Sequence, residues 1–125
     1  IVNITSAMVK SPQAVMGLST AARSGLTALC KGLSKEYVQH NVTINNLLPE
    51  RFDTDRQKQM AHLMMKSQNI SFEEARNKIK KTIKARRLGN PEEFGDACAY
   101  FCSNQSGFIS GQNLQLDGGS YEGLV

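Results

Sequence analysis

Tryptophan is absent from the 125 residues, and no apolar run approaches the roughly 18 residues that a membrane span requires. A membrane partner is therefore not expected. No basic region precedes the opening Ile1-Val2-Asn3-Ile4, so a secretory signal is not read here. A sequence that begins without Met, inside an apolar β-like run, reads as a piece of something longer. Cysteine is scarce: Cys30, Cys98 and Cys102 form an odd set with no metal-ligand spacing. Cys98 and Cys102, four apart, would share a helix face, but a zinc site needs two further ligands, and His40 and His62 are far apart in sequence. No metal is expected. Reduced, partly buried thiols in a cytoplasmic protein are the simpler reading.

Acidic residues are outnumbered, 11 against 15 Lys and Arg, for a net charge of +4. Much of the excess is Lys78, Lys80, Lys81, Lys84, Arg86 and Arg87. Ile79 and Ile83 sit among them at i, i+4, which makes the segment an amphipathic helix with a solvated basic face. With three Tyr, five Phe and no recognition motif, nucleic acid is not an expected partner. Internal repeats and low-complexity linkers are missing too, and the length allows one small domain at most.

What is present alternates between strand-like and helix-like patterns. Residues 1–5 predict a short buried strand, and Ser6 to Ser11 a loop. Pro12 can open a helix, since its missing N–H costs nothing in the first turn. From Gln13 to Gln39 the apolar positions Val15, Leu18, Ala22, Leu26, Leu29, Leu33 and Tyr37 recur in steps of three and four, one long helical stripe. Gly17, Gly25 and Gly32 are poor helix formers, which argues for close approach of another backbone or helix. His40-Asn41 ends that helix, Val42 to Leu48 predicts a second strand, and Pro49 stops it. Strand, crossover helix and strand make a βαβ unit with parallel pairing. Residues 50–55 then form a loop at the strand's carboxyl end, where open α/β sheets hold ligands. Helices over 55–67 and 72–85 follow, the second with a Ser71/Glu74 capping box. Asn90-Pro91-Glu92-Glu93 starts a fourth helix carrying Phe94, Cys98, Phe101 and Cys102. A strand from Asn113 to Leu116 closes on Asp117-Gly118-Gly119. The expectation is an α/β fold with about three strands and four helices. A parallel sheet so narrow wants neighbours on its edges and helices on both faces.

Five segments, in order, resemble the short-chain dehydrogenase/reductase family. Ile1-Val2-Asn3-Ile4-Thr5-Ser6 resembles the strand ending in the catalytic Ser. Asn41 to Asn46 with Leu47-Leu48-Pro49 resembles the strand leading to the Pro-Gly loop, and Thr54 matches that loop's Thr. Arg87-Leu88-Gly89-Asn90-Pro91-Glu92-Glu93 resembles the family's basic-x-Gly-x-Pro-Glu-Glu helix start. Ser110-Gly111-Gln112 through Asp117-Gly118-Gly119 resembles its ending. The resemblance covers nearly the whole chain. It implies that residues 1–125 form the C-terminal part of a single Rossmann-type, doubly wound domain, with the nucleotide-binding half absent.

The resemblance also implies an NAD(P)-dependent oxidoreductase acting on a small carbonyl or alcohol, with NAD or NADP as cofactor. Ser6 would polarise the substrate carbonyl. The family's Tyr-x-x-x-Lys falls on Ser19-Thr20-Ala21-Ala22-Arg23, thirteen residues after Ser6, so the catalytic set is Ser6, Ser19 and Arg23. Cofactor contacts fall on Arg23, Pro49, Phe52 and Thr54. The departures matter chemically. A phenol titrates near pH ~10 and a cation can bring it lower, whereas an aliphatic hydroxyl is much less acidic and much shorter. A guanidinium keeps its charge and suits ribose hydroxyls or a carboxylate better than a proton relay. Ser-x-x-x-Arg resembles a divergent branch of the family that carries Thr-Asp-Arg after the loop, as in Thr54-Asp55-Arg56. Glu50 replaces the loop's Gly and restricts its backbone.

No Gly-x-Gly-x-x-Gly-like turn opens a helix, and Asp117-Gly118-Gly119 has no helix after it to cradle a phosphate. Two readings therefore stand side by side. One is an oxidoreductase with an atypical site. The other is a catalytically inactive, oligomerising or binding module retaining the fold. In the family, the long helix 13–39 pairs with its copy in a neighbouring subunit, which implies a homodimer or homotetramer.

Overall fold

A computed structural model describes residues 1–124. They divide into two compact units. One comprises Ile1–Glu50 with Phe94–Leu116, and the other Arg51–Glu93 with the residues from Asp117 onward.

The first unit is built on a parallel sheet of β1 (Val2–Ile4), β2 (Asn45–Pro49) and β3 (Asn113–Leu116), in that spatial order. Parallel pairing is the one expected of a βαβ crossover, and the register sets Asn3 beside Asn46 and Asn46 beside Asn113. That register lines up three amides on one face of the sheet. Asn3 donates to the Asn46 side-chain oxygen at 3.2 Å, and Asn46 donates to that of Asn113 at 2.8 Å. Asn45, on the opposite face and fully buried, donates to the Ile109 carbonyl and accepts from the Gln112 N–H. Buried amides are tolerable only when paired in this way. The expected strand over 42–48 begins three residues later and includes Pro49. Ile44 is drawn instead to the turn before β3, donating to Ser110 and accepting from the Gly111 N–H. Pro49 pairs with Leu116 at the strand's last position, and Glu50 supplies the next ladder bond to the Leu116 carbonyl.

Helix α1 (Gly17–Tyr37) starts later than the pattern predicted, because Ala14–Met16 form a separate 3₁₀ turn. Its buried positions are Thr20, Thr27, Cys30 and Ser34. These side chains are small, and the hydroxyls of Thr27 and Ser34 return to helix carbonyls of Arg23 and Lys31, whereas the buried Thr20 hydroxyl finds no partner among the described residues. Cys30 Sγ accepts from Asn3, which ties α1 to the amide-bearing face of the sheet. The apolar stripe lies on the other side: Leu18 is 89% exposed and Leu29 59%. Gly17, Gly25 and Gly32 have nothing near them. The stripe is thus no part of this chain's core. Gly111, at φ +72, is required where the turn before β3 meets α1, since a Cβ there would lie 2.5 Å from Ser34 Oγ.

In the second unit, α2 (Asp55–Gln68) packs on α3 (Phe72–Lys81) around Ala61, Ala75, Ile79, Ile83 and Leu88. The Ser71/Glu74 capping box is formed. Helix α3 ends four residues short of the expected 85. Thr82 and Ile83 turn their N–H groups to carbonyls three residues back, and Ala85 bonds the Gly118 carbonyl. Ile83 is buried as its spacing predicted, but Lys84, Arg86 and Arg87 lie beyond the helix. Helix α4 (Pro91–Cys102) begins at the predicted Pro. Among the described residues no helix is long and apolar enough to cross a membrane.

Candidate active site

Ser6 follows the carboxyl end of β1. Thr5 is still held to the sheet by its N–H on the Leu47 carbonyl, and Ser6, in extended backbone, caps the 3₁₀ turn Ala7–Val9 by accepting the Met8 N–H at 3.2 Å. That turn packs against both α1 and β2. The cap uses an acceptor lone pair, so the hydroxyl proton of Ser6 is left without a partner among the described residues.

Ser19 and Arg23 occupy successive turns of one side of α1, and both are half-buried. Arg23 Nη1 donates to the Ser19 hydroxyl oxygen and, at 3.2 Å, to the Ser19 carbonyl. A cation donating into a hydroxyl oxygen pulls electron density from it and turns its proton outward, which strengthens that hydroxyl as a donor. The pair can therefore hydrogen-bond and polarise a carbonyl oxygen. It has no acidic phenol with which to protonate one. Ser6 bonds neither Ser19 nor Arg23 directly.

The remaining expected residues divide between the units. Pro49 is in β2 of the first, while Phe52 and Thr54 belong to the second. The strained backbone angle falls on Arg51, at φ +61, and not on Glu50. Phe52 pairs in parallel with Gly89, and its ring lies where a Cβ on Gly89 would stand, 2.8 Å away. Thr54 occupies the N-cap position of α2, yet its side chain makes no capping bond; its exposed hydroxyl is not spent on the helix. Sequence reasoning missed the neighbour of these two. Asp53 is held by Arg76 of α3, with Nη1–Oδ1 at 3.0 Å and Nη2–Oδ2 at 2.7 Å. That pairing holds the Asp53 carboxyl below the usual carboxylate range. The two residues are 23 positions apart, and no periodicity signals such a contact.

Cys30 is buried, Cys98 half-buried and Cys102 exposed, all with free thiols. Burial, then the neighbouring Cys102, pushes the Cys98 thiol up, which disfavours its thiolate. Among the described residues no cluster of three or more His, Cys, Asp or Glu could hold a metal ion.

Parallel strands with crossover helices and polar side chains at the strands' carboxyl ends define an open α/β sheet of the Rossmann type. The family described as enoyl-(acyl carrier protein) reductase matches residues 1–121, and the chain belongs to the short-chain dehydrogenase/reductase family. It is 32% identical over 124 residues to the NADPH-dependent reductase BacG of Bacillus subtilis, covering 99% of this chain and 48% of that one. Over 99 residues it is 36% identical to the 3-oxoacyl-[acyl-carrier-protein] reductase FabG of Chlamydia muridarum, covering 79% of this chain and 36% of that one. The crystal structure of YwfH, an NADPH-dependent reductase involved in bacilysin biosynthesis, superposes with a TM-score of 0.89 at 31% identity, over 99% of this chain and 47% of that one. The chain thus spans about half the length of the relatives it matches.

Proposed function

We propose that the protein is an NAD(P)-dependent oxidoreductase that reduces a small carbonyl compound in the cytosol, through a Ser-x-x-x-Arg site. The observation that carries this reading is the Ser19–Arg23 pair on α1, the helix against which the Ser6-capped turn packs. A bound nicotinamide would supply the hydride chemistry, and this chain's residues act on the carbonyl oxygen. Ser6 and Ser19 donate hydrogen bonds to the carbonyl oxygen, where negative charge grows during the transfer. Arg23 holds Ser19 in its donating orientation and adds positive charge beside that oxygen. The proton finally taken up comes from water, because neither hydroxyl is acidic enough to release one. Toward the cofactor, the first unit by itself offers Arg23 and Pro49, and the second by itself the Phe52 ring and the Thr54 hydroxyl, which makes no capping bond. NADPH is the choice supported by the relatives named for it. In the full-length protein, oxidation of NADPH in the presence of small ketones and acyl thioesters is the direct test. Arg23→Ala should lower kcat at least about tenfold, the cost of removing one charge-assisted donor. Equal rates in the variant and the parent protein would contradict the proposal.

The second reading, an oligomerising module, is favoured by the outward apolar stripe of α1 with its open glycines. The occupant proposed for that face is a second copy of the chain, in a homodimer or homotetramer. This is compatible with catalysis, and it becomes the sole function only if no cofactor binds.

A further inference from the structure

We infer that Arg76 is a positioning residue for the segment Phe52–Thr54, holding it through the two-point pair with Asp53 in the geometry that meets the nicotinamide cofactor. The inference rests on the reductase reading above, which supplies the role of Phe52 and Thr54.

The segment is fastened from two directions, both within the second unit. On one side its backbone is zipped to Gly89. Gly89 donates to the Arg51 carbonyl at 3.1 Å, and Asp53 donates to the Gly89 carbonyl at 2.8 Å. The Phe52 ring closes over Gly89, leaving no room for a Cβ. On the other side the Asp53 carboxylate receives both arms of the Arg76 guanidinium. A bidentate pair fixes the plane of the carboxylate as well as its distance, which a single contact does not. Arg76 is itself constrained, lying 6.0 Å from the Phe72 ring centre one helical turn back, with its side chain only 19% exposed. Thr54, next in the chain, donates its N–H to the Phe52 carbonyl at 2.8 Å. The direction of its hydroxyl therefore follows from where Asp53 is held.

The pair is poorly suited to a purely structural task. Helices α2 and α3 already share an apolar core that includes neither Asp53 nor Arg76, and α3 has its own capping box. A partly exposed ion pair adds little to a fold so supported. What it does fix is a short irregular segment with a left-handed residue, Arg51, at its start. A small misplacement there reaches any ligand that Thr54 touches.

The test uses the full-length protein and compares Arg76→Gln, Asp53→Asn and the charge-reversed double variant. The expected result is a rise of about tenfold in KM for NADPH in each single variant, with a smaller change in kcat, and partial recovery in the double variant. Amide hydrogen exchange over residues 52–55, measured without cofactor, should quicken in both single variants. Unchanged exchange and unchanged KM in Arg76→Gln would overturn the inference. So would equal losses in kcat and KM that follow the melting temperature and do not recover on charge reversal. If the parent protein binds neither NADPH nor NADH, the reductase reading fails, and with it the cofactor half of the inference. The exchange measurement still decides whether Arg76 holds the segment.

Discussion

Ser19 and Arg23 illustrate what single residues can and cannot reveal. Their spacing in the sequence, i and i+4, places them on one side of a helix, and the structure joins them by hydrogen bonds. Their chemistry was readable because it depends on residue type. The amide row of Asn3, Asn46 and Asn113 was not readable, because it exists only once the register of three parallel strands is known. In the sequence, Asn45-Asn46 merely interrupts an apolar strand. The row leads to a definite prediction. Asn46→Leu removes the amide that Asn3 and Asn113 both pair with, and should destabilise the protein by about 1–3 kcal/mol in urea unfolding. A midpoint unchanged from the parent would show that the row is dispensable. The Asp53–Arg76 pair was hidden for the same reason, being a contact between a loop and a helix far apart in sequence.

At the scale of elements, signals carried by local chemistry held best. Ser71 with Glu74 starts α3, Pro91 starts α4, and β3 has the expected bounds. Boundaries set by competition with the rest of the fold moved. Helix α3 ends early because Ala85 bonds Gly118. Periodicity found the long helix correctly and left open whether its stripe met core or subunit; in the structure α1 turns its small, hydroxyl-rich side to the sheet. The start of α4 carries a pH dependence. The Glu93 carboxyl is held down to about 2, chiefly by its two-point bond with Arg87 and then by the Asn90 N–H. A lowered folded-state value means the contribution is complete above the ordinary value of 4.5 and is lost as the pH falls from there toward about 2. Glu93→Gln should therefore lower the melting temperature at neutral pH, and the gap should close through that acid window. A gap that persists through the window would assign the effect to packing. Salt should also narrow it, since the pair is exposed.

At the scale of the whole molecule, the α/β class and the parallel order followed from the alternation of patterns, and the family followed from five ordered segments. What stayed hidden was the division into two compact units. A loop such as 50–55 reads in sequence as a link, whereas from Arg51 onward it belongs to the second unit, where Asp53 is bonded to Gly89 and Arg76. The outward stripe of α1 makes a prediction that belongs to the assembly. Leu29→Glu, which places a charge on the exposed apolar face beside Gly25 and Gly32, should shift the full-length protein toward a smaller species in light scattering. A mass unchanged from the parent would remove α1 from the interface.

The proposed reductase role sets the Ser19–Arg23 pair of the first unit against the nicotinamide. Calorimetric titration of the full-length protein with NADPH tests it most directly. The account predicts saturable binding in the micromolar to millimolar range usual for such ligands, weakened about tenfold or more by Arg23→Ala. Absence of binding for both NADPH and NADH, or identical affinity in the Arg23→Ala variant, would contradict it.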